Sequence, residues 1–297
     1  MIVLLLVTQN EADLLRWNVR HHLEWGVDHV GIADNDSTDA TAEVASEFGD
    51  AVSYQRFPDF HRRQHVRTAL LDELRARHPV QWFGVADTDE FYWAPGVAGI
   101  GELLADTPVD VVGVNFDMKL FVPTDLDPPD LPVFMSRTHR TSSAESPLHT
   151  SYRAGKSFYR SDALPVITHE HWCEEVPHPP FRHDEPAVHH YMVRDEDQFV
   201  QKVTRLISWA PPPDGRIARA RWNRTPEIER PLPGWSAPFK KEWWGVYQAG
   251  GEAAVREYYR NVYTLVGDRR RAALADGSLV EDTGFARWAR ERYGAST

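Results

Sequence analysis

The sequence predicts an α/β fold: an open, mainly parallel sheet flanked by helices, with a helical C-terminal extension. Two observations carry that expectation. Short apolar runs alternate with amphipathic stretches through residues 1–93, at the spacing of βαβ units. Beyond residue 194 the strand patterning gives way to helical periodicity over about 195–209, 241–259 and 284–293.

The elements follow in order. Residues 2–7 (IVLLLV) form a continuous apolar run, the mark of a strand buried on both faces. Asn10 is placed to cap the helix that follows, and Leu15, Val19 and Leu23 repeat at helical spacing until Gly26 stops it. A second strand spans 29–33 and runs into Asp34-Asn35-Asp36-Ser37-Thr38-Asp39, where Asp36 and Ser37 are further capping candidates. A helix then ends near Gly49. A third strand covers 52–56. A third helix covers about 61–77, with Val66, Leu70 and Leu74 on one face and Pro79 beyond its end. The fourth strand is 80–86. Later strands are expected at 110–116, 156–160, 166–169 and 188–192. Residues 124–132 and 211–238 read as Pro-rich connections.

Composition narrows the function. Hydrophobic residues make up 42% of the 297-residue chain, enough for a sizeable core. The formal net charge of −11 argues against nucleic acid as a partner. An anionic nucleotide can still bind if a divalent cation bridges it. Cys173 is the sole cysteine, which excludes an internal disulfide framework and a cysteine-based zinc site. No apolar run reaches the length of a membrane span. A cytoplasmic location is expected, with peripheral attachment at the membrane as the alternative where the acceptor is lipid-linked. Eleven tryptophans suit core packing first and sugar stacking second.

The strongest chemical signal is Asp87-Thr88-Asp89-Glu90-Phe91, directly after the fourth strand. In an extended segment, residues i and i+2 share a face, so Asp87 and Asp89 can converge on one cation. Such hard oxygen ligands suit Mg²⁺ or Mn²⁺, which neutralises charge on a leaving diphosphate. In open α/β sheets ligands bind beyond the carboxyl ends of the strands. That edge also receives Thr8, Asn10 and Glu11 from the first strand and Asp34 with Asn35 from the second. Capping is the competing use of these polar residues. There is neither a G-x-G-x-x-G turn nor a P-loop.

Several spaced motifs together resemble family-2-type glycosyltransferases, in particular the branch with a D-x-D-E-F segment. They are Asn10-Glu11 with Leu14, residues 22–27 (HLEWGV), residues 34–41 (DNDSTDAT) and Asp87–Phe91. Gly155-Lys156-Ser157 resembles that branch's G-K-S strand. His190-Tyr191 with Asp195, Asp197, Phe199 and Lys202 resembles its H-Y…S-x-E-x-F-x-x-K stretch. The resemblance covers about residues 1–205. It implies a GT-A fold, a nucleoside-diphosphate sugar donor (a UDP-sugar as first candidate), a divalent cation and transfer to a hydroxyl acceptor with inversion. By position, Asp87 and Asp89 become metal and diphosphate ligands, His190 a third metal ligand and Asp34 a nucleotide contact. His189 competes with His190. Lys156 either pairs with donor phosphate or ends its strand in solvent.

The arginines at 62, 63 and 67 read as a solvated helix face, with Arg67 a phosphate candidate at the ligand edge. The general base is sought among Glu170, His171, Glu174, Glu175, Asp184 and Glu185, a stretch dense in acids and imidazoles. The sequence departs from the family in three places. The usual Asp-Asp-Gly-Ser turn is Asp34-Asn35-Asp36-Ser37, the serine of the later motif is Asp195, and residues 124–150 have no counterpart. The expected organisation is a donor-binding and catalytic domain over 1–205 and an extension over 206–297. The rival readings are a metal-dependent phosphohydrolase and a non-catalytic nucleotide-sugar-binding module.

Overall fold

The computed structural model describes residues 1–58, 63–142, 155–163, 181–209 and 238–294. The strand expected at 166–169 and most of the connection at 211–238 lie outside them. Two compact units emerge, Met1–Lys119 with Arg153–His190, and Leu120–Tyr152 with Tyr191–Thr297.

The first unit is built on an eight-stranded sheet. Its strands are β1 (Ile2–Thr8), β2 (His29–Asp34), β3 (Val52–Arg56), β4 (Trp82–Asp87), β5 (Glu90–Trp93), β6 (Gly113–Leu120), β8 (Lys156–Arg160) and β9 (Phe181–His190), in the order β3-β2-β1-β4-β8-β6-β9-β5. The pairs β3·β2, β2·β1 and β1·β4 are parallel, as the βαβ spacing predicts. The pairs β4·β8, β8·β6 and β9·β5 are antiparallel. The sheet is therefore mixed, and its parallel part is the half built from crossover helices.

Alternate residues of β1 explain why its apolar run is unbroken. Leu4 and Leu6 pack with Leu15 and Val19 of α1 (Ala12–Glu24) on one face. Val3, Leu5 and Val7 pack with Val66, Leu70 and Leu74 of α3 (Arg63–Arg77) on the other. Both faces are covered, so polar residues are excluded from the run. Gly26 ends α1 with φ of +95°, and the N–H of Val27 reaches back to the carbonyl of His22 at 2.9 Å. The short helices α2 (Thr41–Ser46) and α4 (Ile100–Ala105) complete the α1 face through Val44, Ile100, Leu103 and Leu104.

The second unit contains α5 (Val133–Ser136), α6 (Glu196–Trp209), α7 (Pro238–Tyr258), α8 (Gly267–Ala275) and α9 (Gly284–Tyr293). A two-stranded sheet of β7 (His139–Thr141) and β10 (Leu279–Glu281) belongs to it. The helix expected at 241–259 is interrupted at Gly250-Gly251. Its core gathers Phe199, Val203, Trp243, Val255, Tyr259 and Tyr263. Among the described residues, no helix is long and apolar enough to cross a membrane.

Candidate functional site

The chain moves from β1 outward to β2 and β3, then returns to place β4 on the other side of β1. The crevice between β1 and β4 is thus a topological switch point, where strand order reverses and ligands of open sheets bind. Register puts Asp87 opposite Val7 and Asp34 opposite Thr8. Three of the residues singled out in the sequence therefore end adjacent strands at one edge.

The turn after β2 and the turn after β1 are tied to each other. Asp34 is buried, and its Oδ1 accepts the Ser37 N–H at 3.0 Å and the Ser37 hydroxyl at 2.5 Å. Its Oδ2 accepts the Tyr54 hydroxyl, and burial together with Asp34 raises the Tyr54 phenol far above its ordinary range, keeping it a donor. Asn10 does not cap α1 as expected. Its Oδ1 accepts the Thr38 N–H at 2.7 Å, and its N–H donates to Ser37 Oγ at 2.9 Å. The cap comes from Asp39, which accepts Ala12 N–H at 3.0 Å and Thr41 N–H at 3.1 Å, so one carboxylate serves the starts of both α1 and α2. Asp36 and Ser37 do not cap α2 either: Asp36 pairs with Arg56, and Ser37 bonds Asp34. Asn35 Nδ2 donates to Gln9 Oε1 at 3.0 Å. Glu11 occupies the N-cap position of α1 without a side-chain capping bond. The Thr8 hydroxyl is buried and has no hydrogen-bond partner among the described residues.

The turn joining β4 and β5 has a different chemistry. Asp87 is partly exposed, and its carboxylate lies 3.2 Å from Arg67 and 3.7 Å from the Lys156 Nζ. Arg67 also donates to the Ala86 carbonyl at 3.0 Å and has no exposed surface, which corrects its reading as part of a solvated helix face. Lys156 is equally buried, so it does not end its strand in solvent. Glu90 lies 3.0 Å from Lys156 and accepts the Asp87 N–H at 2.8 Å. Burial pushes the Glu90 carboxyl above its ordinary range, against the opposing pull of Lys156.

Asp89 meets His190, with Nε2 to Oδ1 at 3.4 Å. The pairing of β5 with β9 accounts for this meeting, because Glu90 lies opposite His190. The other ring nitrogen of His190 faces Met118 Sδ at 3.3 Å. His189, its competitor, is buried edge-on against Trp93, and neighbouring strand residues point to opposite faces. Asp89 and His190 offer the oxygen and imidazole donors that suit Mg²⁺ or Mn²⁺. Among the described residues no three His, Cys, Asp or Glu side chains gather as a metal-holding group.

Sequence reasoning missed the support beneath this turn. Asn18 of α1 is buried and donates to the carbonyls of Thr88 at 2.9 Å and Glu90 at 2.8 Å. His21 donates to the Tyr92 carbonyl at 2.8 Å, and His22 accepts the Tyr92 N–H at 3.2 Å. Burial, with His21 nearby, holds His22 well below its ordinary pKa, so it is neutral and its Nδ1–H donates to Asn18. The available signal was Asn18 and His22 at i and i+4, beside Leu15 and Val19 on the apolar helix face.

The base candidates Glu170, His171, Glu174 and Glu175 lie outside the described residues. Asp184 and Glu185 fall on β9, with side chains outside the description. In the second unit the part of the H-Y…F-x-x-K motif after His190 has structural tasks. Asp195 Oδ1 caps α6 by accepting the Gln198 N–H at 2.8 Å, Phe199 is in the core, and Lys202 donates to the Met192 carbonyl at 2.9 Å.

No protein-family model matches the chain, and no curated protein does. Among solved structures it is similar to S. aureus TarS 1–349 in complex with UDP, at 11% identity and a TM-score of 0.41. The likeness covers 88% of this chain and 91% of that one. Mannosyl-3-phosphoglycerate synthase from Rubrobacter xylanophilus matches at 15% identity and a TM-score of 0.33, over 55% of this chain and 53% of that one. A mycobacterial protein matches at 17% identity and a TM-score of 0.31, over 55% and 54%. At scores this low the likenesses carry no weight for the activity.

Proposed function

We propose that this chain is a GT-A-type glycosyltransferase that moves a sugar from a nucleoside-diphosphate sugar to a hydroxyl acceptor with inversion. The observation that carries the reading is the meeting of Asp89 with His190 at 3.4 Å beside the β1–β4 switch point. Two residues far apart in sequence bring metal-type donors to the edge where an open sheet binds its ligand. The motif resemblance, which includes these two residues, supports the same reading.

In this scheme the donor nucleotide, a UDP-sugar in the first instance, lies across the ends of β1, β2 and β4. The buried Thr8 hydroxyl, without an internal partner, is available to it. Asp34 and Asn10 shape the nucleotide side by holding the two turns together rather than by free carboxylate contacts. Asp89 and His190 would hold Mg²⁺ or Mn²⁺, and the partly exposed Asp87 lies in the same turn with its carboxylate toward Arg67 and Lys156. The cation supplies charge neutralisation for the leaving diphosphate. Residues 1–205 would bind and activate the donor.

The test is release of nucleoside diphosphate from a panel of nucleoside-diphosphate sugars with Mn²⁺ or Mg²⁺. The expected result is release from donors of one base, lost with EDTA and in Asp89→Asn. Release of phosphate from simple monoesters, with none from the sugar donors, would replace the proposal with the phosphohydrolase. Donor binding without transfer or hydrolysis over a broad acceptor panel would leave a binding module.

A further inference from the structure

Glu90 follows the two aspartates directly and has no part in the donor scheme. Its Oε2 accepts the Asp87 N–H at 2.8 Å and lies 3.0 Å from the Lys156 Nζ. Both side chains are buried, Glu90 with 1% and Lys156 with no exposed surface. Lys156 also lies 3.7 Å from Asp87 Oδ2. The first residue of the turn is thus held twice from beneath, through its backbone by Glu90 and through its carboxylate by Lys156. Asn18 fixes the Thr88 and Glu90 carbonyls of the turn.

Lys156 is itself placed by tight backbone packing. A Cβ on the preceding Gly155 would stand 1.7 Å from the Phe116 carbonyl oxygen, and Phe116 is the register partner of Lys156. A lysine that binds donor phosphate needs an accessible ammonium group. This one is itself buried and has its charge met by the buried Glu90 and the partly exposed Asp87.

We infer that Glu90 is the positioning residue of the site: it fixes the Asp87–Asp89 turn and holds Lys156 as that turn's internal counter-ion, so Lys156 does not contact the donor phosphates. The inference deepens the donor reading and rests on it for the identity of the ligand. Removing one member of a buried ion pair strands the other charge, whereas removing both does not. The pairing and the ligand contact therefore leave different signatures in a double-mutant cycle.

The experiment compares wild type, Glu90→Gln, Lys156→Met and the double variant. It reads the unfolding temperature and the affinity for UDP in the presence of Mn²⁺, measured by calorimetry well below the unfolding transition. Each single variant is expected to unfold earlier than wild type, and the double variant later than the worse single one. Affinity for UDP is expected to fall about tenfold in Glu90→Gln and no further in the double variant. That non-additivity marks the loss as one of turn geometry, which a purely structural role distributed over the fold would not produce. A double variant no more stable than the worse single one, folded or not, would overturn the pairing. A further tenfold loss of UDP affinity on adding Lys156→Met would make Lys156 a phosphate ligand and overturn the inference. Wild type that fails to bind UDP with Mn²⁺ would instead retire UDP as the donor nucleotide, leaving the stability cycle to judge the pairing alone.

Discussion

Two acid-rich turns end adjacent parts of one sheet, and they use their carboxylates in opposite ways. In the turn at 34–39, Asp34 and Asp39 accept from neutral donors: a serine, a tyrosine and backbone N–H groups. In the turn at 87–90, Asp87 and Glu90 meet buried cations supplied by α3 and β8, and Asp89 meets a histidine from β9. The first turn is a conformational brace. The second sets its carboxylates against charged and titratable partners drawn from beneath the turn. Nothing in the local sequence separates D-N-D-S-T-D from D-T-D-E. The difference comes from what distant segments bring under each turn.

The comparison can be broken most forcefully at Gly155. A methyl group there overlaps the Phe116 carbonyl, so Gly155→Ala is expected to cost more than about 4 kcal/mol or to prevent folding, read by urea denaturation. A mild effect would mean that β8 and its lysine are not held as described. Next comes Arg67→Met, which takes a buried cation from Asp87 and a donor from the Ala86 carbonyl. A loss of about 2–3 kcal/mol is expected, at the low end for a buried pair because Asp87 is partly exposed.

The third prediction concerns pH. His22 titrates well below its ordinary value in the folded protein and at about 6.5 when unfolded. Below that pH the unfolded chain binds the extra proton, so stability falls as pH drops, by up to about 1.4 kcal/mol per unit for this group. His29, lowered by burial and then by His78 and Arg77, acts in the same direction. Urea midpoints between pH 7.5 and 5.5 check the slope, and His22→Gln should reduce it.

Smaller still is Asp39→Ala, which removes the shared cap from two helices and should cost about 1 kcal/mol without altering metal binding. The smallest effect is expected for Asp36→Gly. Asp36 sits at φ of +57°, the left-handed region, and loses only an exposed pair with Arg56. A melting temperature equal to wild type or slightly above it is expected.

Asp36 also shows how much of the site was legible in the sequence. The turn of the family it resembles carries glycine there, and aspartate is a departure from that pattern. The backbone is left-handed at Asp36, a conformation that suits glycine and that aspartate tolerates better than most residues. Asp195 in place of serine is likewise a helix cap by other means. The parallel strands, α1 and α3 were legible because each pairs a short apolar run with a clean helical stripe. β5 was not: four residues in length, it begins within the acidic segment and forms the edge of the sheet, paired with the distant β9. Helix α8 escaped because its hydrophobic face is reduced to one buried residue, Ala273. The buried states of Arg67 and Lys156 were hidden for the same reason as the difference between the turns. Burial of a charge is decided by its partners, and these partners lie in other elements.

The central claim is that the turn at 87–90, with His190, forms a cation-dependent nucleotide site. It is tested most directly by thermal shift with nucleoside diphosphates and their sugars, with and without Mn²⁺, on wild type and on Asp87→Ala/Asp89→Ala. A ligand at a hundredfold excess over its Kd adds about 2.7 kcal/mol to the folded state. The account predicts a Mn²⁺-dependent upward shift for nucleotides of one base, absent in the double variant. No shift with any nucleotide in wild type, or an equal shift in the double variant, would contradict it.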